Sequence, residues 1–215
     1  MKSLATICIA LVTAIVSAQS PYESGMKKAF ELWGAQKPQE AVNLFERIAK
    51  AEKDNWIPYY NAAQVNVVST FVMKKRGEID PLLTKAQEHL NEAKSLSENN
   101  AEIMILEALL NTAKMLTDPA TFGPTLSPKI EGLYQQALAI EPNNPRANAS
   151  YAEWQMGGAK YFGKDPMEFC PNLKKALTLF ENQKDSIPFY PNWGKERVQM
   201  LVKQCDSTAT TKDQK

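Results

Sequence analysis

The stretch from Tyr134 to Pro145, YQQALAIEPNNP, constrains the fold more than any other, because it reads as a helix end, a tight turn and a new helix. Tyr134, Ala137, Leu138 and Ile140 or Glu141 follow the three-and-four spacing of one helix face. Pro142 stops that helix. Asn144 then offers a side-chain oxygen to cap the next helix, and Pro145 stands at the first helical position, where a missing N–H costs nothing.

The device recurs. Ile48, Ala93, Ala137 and Ala176 occupy matching places on amphipathic segments, 45, 44 and 39 residues apart. Seven residues after each of the first three comes an asparagine: Asn55, Asn100 and Asn144. Phe45 and Leu90 take the place of Tyr134 in the earlier units, and Ala41 and Ala86 supply a small residue four before them, where Ile130 departs. Ala63, Ala108 and Ala152 fill the small position of the first helices. This aromatic-then-alanine spacing with a helix-ending proline resembles the second helix of a tetratricopeptide repeat, although each unit exceeds the standard repeat of about 34 residues. The resemblance covers about residues 22 to 205 and implies an all-α fold, antiparallel helix pairs stacked as a TPR-like superhelical solenoid with a C-terminal capping helix.

The first residues read as a secretory signal peptide: basic Lys2, an apolar run from Leu4 to Val16, and small residues ending at Ala18. The expected organisation is a signal peptide over 1–18, a helical repeat domain over 19–205 and a disordered tail over 206–215. An exported, periplasmic or secreted chain without a membrane span follows. The full chain carries 25 Lys and Arg against 24 Asp and Glu. Such balance argues against nucleic acid or an anionic membrane as the main partner.

Boundaries can be placed at proline-marked starts. Asp80-Pro81 is expected to open one helix and Ser127-Pro128 another, with a loop over Thr117 to Leu126, and a last helix over about Asn192 to Cys205. Two aromatic-glycine sites, Phe122-Gly123 and Phe162-Gly163, are expected as inter-helix loops. With the run Pro191-Asn192-Trp193-Gly194, they resemble features of small exported TPR-type proteins of Bacteroidetes.

Catalysis has little to stand on. His89 is the single histidine, and Glu88 and Glu92 beside it suggest a solvated helix face rather than a metal site, which needs three or four converging ligands. No Gly-x-Ser-x-Gly elbow, phosphate-cradling glycine loop or Cys-x-x-Cys pair occurs. A non-enzymatic chain without cofactor, metal or catalytic residues is expected.

By the resemblance, the first helices of the pairs line a concave groove that holds a peptide or protein partner. The groove residues it implies are Met26, Phe30, Trp33, Tyr60, Gln64, Val67, Ile105, Leu109, Arg146 and Glu153. Some family members grip a terminal carboxylate with basic and asparagine side chains. Only Asn61 matches that clamp here, while Met26, Phe30, Glu102 and Leu106 stand at its other positions. The alternative is a cell-envelope solute or glycan binder that uses the Phe-Gly loops and Trp33, Trp56, Trp154 and Trp193.

Removing Cys8 with the signal leaves Cys170 and Cys205, an even pair in an oxidising compartment. Cys170 precedes a helix running to about Gln183, and Cys205 ends one returning from about Asn192. The two legs are equal in length, so antiparallel packing brings the cysteines together and predicts a disulfide.

Overall fold

The computed structural model describes residues 20–73, 75–184 and 187–212. The expected signal peptide and its cleavage site lie outside the described residues. Among the described residues nine α-helices follow one another: α1 (Pro21–Gly34), α2 (Pro38–Ala51), α3 (Ile57–Thr70), α4 (Arg76–Leu96), α5 (Ala101–Thr117), α6 (Pro119–Ile140), α7 (Pro145–Tyr161), α8 (Cys170–Asn182) and α9 (Lys195–Lys212). A short 3-10 turn, Pro166–Phe169, precedes α8. Each helix packs on the next, and the odd-numbered α3, α5 and α7 also touch one another. This is a TPR-like arrangement of sequential antiparallel pairs.

The repeat register holds because its small and apolar positions are those that meet between helices. Ile48, Ala93, Ala137 and Ala176 are all buried, as are Phe45, Leu90 and Tyr134, and Ala63, Ala108 and Ala152. Asn100 and Asn144 cap the helices that follow, and Asn55, one residue before the cap position of α3, bonds its first N–H. Asn55 accepts a hydrogen bond from the Ile57 N–H at 3.0 Å, Asn100 from Glu102 at 2.9 Å, and Asn144 from Ala147 at 2.9 Å. Each occupies an orphan donor of a first turn.

Two boundaries differ from expectation for one reason. Helix α4 begins at Arg76, so Pro81 lies inside it, and α6 begins at Pro119 and carries Pro124 and Pro128. A proline removes the bond to the carbonyl four residues back. Those carbonyls belong to Gly77 and Ala120 for Pro81 and Pro124, both exposed, where water can replace the donor. The Phe122-Gly123 site is therefore helical, and the expected loop from Thr117 to Leu126 shrinks to a turn at Asp118, whose side chain accepts from the Thr121 N–H at 3.1 Å. Helix α9 also continues past Cys205 to Lys212, through much of the segment expected as tail.

Cys170, at the start of α8, and Cys205, in α9, form a disulfide with Cα atoms 5.9 Å apart across 35 residues of sequence. Around it Ala152, Leu173 and Leu201 form a small core joining α7, α8 and α9. Closing a loop of this length restricts the unfolded chain by about 3 to 4 kcal/mol on the chain-entropy model. Thermal unfolding should therefore shift to a lower midpoint on reduction or in Cys170→Ala/Cys205→Ala, and reductant should leave the midpoint of that double variant unchanged.

Candidate functional site

The connection between α8 and α9 lies against α1, α3 and α7, first helices of their pairs, whose shared face is the concave side in a TPR-like stack. That connection runs IPFYPNW from Ile187 to Trp193. Phe189 meets Tyr22 edge-on, with ring centroids 5.6 Å apart, and stacks on Phe30 at 6.3 Å, both on α1. Tyr190 meets Trp56 edge-on at 5.8 Å, just ahead of α3. The Trp193 indole N–H donates to the Tyr60 hydroxyl at 2.8 Å. Pro191 is buried between these contacts. The strap thus reaches from α8 to α1 and returns across α3 to α9.

Local sequence explains its course. The Tyr190 N–H bonds to the Ile187 carbonyl at 3.2 Å, closing a turn with Pro188 second and Phe189 third. Phe189 has φ 61°. That position of a turn favours glycine or asparagine, since a side chain there crowds the backbone. An aromatic residue persists in such a conformation only where its surroundings hold it, and the rings of Tyr22 and Phe30 do so. Gly194, with φ 105°, ends the strap, and a Cβ there would stand 3.1 Å from the Phe180 ring.

Beneath the strap lies a buried polar hub. The Glu102 carboxylate, fully buried at the start of α5, accepts from Arg146 Nε and Nη2, each at 2.7 Å, and from Asn144 Nδ2 at 2.7 Å. Glu102 and Arg146 stand 44 residues apart, at equivalent places in neighbouring units. The Asn144 side chain also donates to Glu141 at 2.8 Å while its oxygen caps α7. Arg146 Nη1 donates to Gln183 at 3.2 Å, and the guanidinium lies 5.9 Å from the Tyr190 ring centre. An open cleft of about 360 Å³, lined by Glu141, Asn144, Arg146, Gln183 and Tyr190 among others, sits where the strap leaves α8.

Burial acts to lower the Arg146 pKa, but the bonds and charge of Glu102, aided by Tyr60 and Tyr190, hold it above its ordinary value. Burial raises the Tyr60 hydroxyl well above the usual range, and nearby Glu102 adds to the rise. Tyr190 is pushed up to about 12, by burial first and then by Glu102 and Glu141. All three shifts favour the state these groups already hold at neutral pH, a charged Arg146 and neutral Tyr60 and Tyr190.

The groove residues implied by the resemblance do not lie on one open surface. Met26, Tyr60, Gln64, Val67, Ile105 and Arg146 are buried, and Phe30, Trp33, Leu109 and Glu153 are partly exposed. Met26, Phe30 and Trp33 pack in the core of α1 to α3; Tyr60, Val67 and Leu109 in that of α3 to α5; Ile105 in that of α5 to α7. Arg146 belongs to the hub, and Glu153 accepts from Arg197 of α9 at 3.0 Å. Most of these residues are thus buried where helices meet, and the connection between α8 and α9 lies over Phe30 and Tyr60 among them.

Other expected features fall elsewhere. His89 is turned inward, 3.2 Å from Glu46, so it is not on a solvated face. Its burial lowers the imidazole pKa more than Glu46 raises it. Phe122 packs under the cations of Arg76 and Lys114, at 5.7 and 5.4 Å from its ring centre. Tyr161 and Phe162 are 71% and 73% exposed at the end of α7, and their rings meet edge-on with centroids 5.1 Å apart. Gly163, with φ 69°, turns the chain there. Trp154 and Trp193 pack with the α5 to α7 core and Trp33 with α1 to α3. Among the described residues, no three His, Cys, Asp or Glu side chains converge on a metal position, and no helix is long and apolar enough to cross a membrane.

The fold defines an all-α, TPR-like solenoid of antiparallel helix pairs closed by a terminal helix. It is similar to the HusA haemophore from Porphyromonas gingivalis, with a TM-score of 0.76 and 23% identity over 88% of this chain and 94% of that one. A thermophilic TPR protein from Thermus thermophilus aligns with 14% identity and a TM-score of 0.45, over 86% of this chain and 98% of that chain. No protein-family model and no curated protein sequence matches the chain.

Removing one partner of the hub leaves a buried charge, at a cost of about 3 to 5 kcal/mol. Urea unfolding of Arg146→Met should show a loss of that size. The double variant Glu102→Leu/Arg146→Met should recover most of it, because neither charge then remains without its partner.

Proposed function

We propose that this chain is an exported, non-enzymatic binding protein that holds an apolar protein or peptide partner on its concave side. The observation that carries this reading is the strap itself. A face that grips an apolar chain segment through Tyr22, Phe30, Trp56 and Tyr60 has the chemistry of a peptide receptor, in which aromatic walls hold apolar side chains. The disulfide suits an oxidising compartment, which supports export alongside the leader-like first 18 residues.

A second reading takes its ligand from the name of the HusA haemophore: haem, as cargo. The exposed, perpendicular pair Tyr161 and Phe162 supports it, since one ring face remains open to a flat apolar ligand. His89 is buried against Glu46, so a haem would be held by aromatic and apolar contacts and not by that imidazole.

A photo-crosslinking side chain in place of Phe30, in the mature protein added to its native envelope fraction, tests the first reading. A partner should crosslink there and not at a control position such as Lys85 on α4. Equal labelling at both positions, or none at Phe30, would contradict it. Haemin titration tests the second: a saturable Soret shift that is weakened in Tyr161→Ala/Phe162→Ala would assign haem as the ligand, and an unchanged spectrum would remove that reading.

A further inference from the structure

The strap carries an inference that rests on the concave side being the binding surface. We propose that Ile187 to Trp193 is a displaceable internal occupant of that surface, and that the partner it yields to presents a peptide segment of the same proline-and-aromatic chemistry.

Three observations support displacement. The strap holds on through rings rather than through a backbone ladder. Its two prolines donate nothing, and the Tyr190 N–H is spent on the strap's own turn. Phe189 sits in the left-handed region at φ 61°, so the bound form carries strain that an untethered competitor would avoid. Both ends of the strap are anchored independently of it. Helices α8 and α9 pack on one another through Ala176, Phe180 and Val198, and the Cys170–Cys205 bond ties them. Lifting the strap therefore leaves the capping pair in place.

The partner's chemistry follows from what the strap covers. Tyr22, Phe30, Trp56 and Tyr60 would become a run of aromatic faces, and the Tyr60 hydroxyl would regain a free acceptor. Aromatic-lined grooves favour proline-rich, extended ligands, whose backbone loses little freedom on binding. The lip at Arg146 adds a cation for a ring, as it now does for Tyr190. A tethered strap competes at an effective concentration on the order of millimolar. A partner in trans is excluded until it outcompetes that tether.

The test uses a labelled peptide with the sequence of residues 184–194, followed by fluorescence anisotropy. It is titrated into the intact mature protein, into Phe189→Ala/Tyr190→Ala, and into a form cut at a protease site inserted after Lys184 with the disulfide kept. Both opened forms should bind the peptide at least about tenfold more tightly than the intact protein, as the tether's advantage is lost. A peptide with serine at the three aromatic positions should not bind. The proposal is overturned if neither opened form binds the peptide while circular dichroism shows both still helical. It is equally overturned if both lose their helical content, since the strap is then a fixed part of the core, or if the cut form pairs into dimers by exchanging straps. Peptide binding by the opened forms with no partner crosslinked at residue 30 would uphold the strap and defeat the proposed function. A partner crosslinked equally in intact and opened proteins would uphold the function and defeat the strap.

Discussion

The Glu102 carboxylate is the contact on which the rest of the concave side depends. A fully buried charge is tolerated only when paired and hydrogen-bonded, and Glu102 receives two bonds from Arg146 and one from Asn144. Those partners fix neighbouring features in turn. Asn144 caps α7, which sets the entry of that helix beside α5. Arg146 reaches Gln183 and the Tyr190 ring, which sets where the strap leaves α8 and how it crosses the groove. One ion pair thus joins repeat stacking to groove closure.

Closure changes what the repeat architecture can do. In an open solenoid the first helices offer their concave faces to a partner, and affinity follows from the side chains there. Here the connection between α8 and α9 covers Tyr22, Phe30, Trp56 and Tyr60, so under the proposed displacement a partner would first have to exceed the affinity of a tethered occupant. The arrangement favours selectivity over tightness, because ligands that make only part of the strap's contacts gain nothing by displacing it. The disulfide between α8 and α9 suits this role: it ties the two helices at the end away from the strap, which is itself secured by ring contacts and the Trp193–Tyr60 hydrogen bond.

Much of the fold was legible because helical repeats write themselves into spacing. The Ile48, Ala93 and Ala137 register, the capping asparagines and the Cys170–Cys205 pairing each follow from short-range geometry or simple helix length. The groove was less legible. The first helices were correctly placed, but which of their faces met neighbours, and what covered the remainder, depended on contacts across 44 residues for Glu102 and Arg146 and across 133 for Tyr60 and Trp193. Local periodicity does not carry such pairings. One signal was present: a connection with Phe189, Tyr190 and Trp193 among two prolines carries three aromatic rings within five residues, a dense set of candidates for packing. The proline-containing starts of α4 and α6 misled in the other direction, because Pro81 and Pro124 fall near exposed helix starts, where water can bond the carbonyls they deprive.

The central claim is that the strap occupies the concave side in solution, and NMR of the mature protein tests it most directly. The Trp193 indole proton should exchange slowly and show a nuclear Overhauser contact to the Tyr60 ring, and the Phe189 ring should show contacts to Tyr22 and Phe30. An indole proton exchanging as fast as that of a solvent-exposed tryptophan, together with a Phe189 ring lacking contacts to α1, would contradict the account.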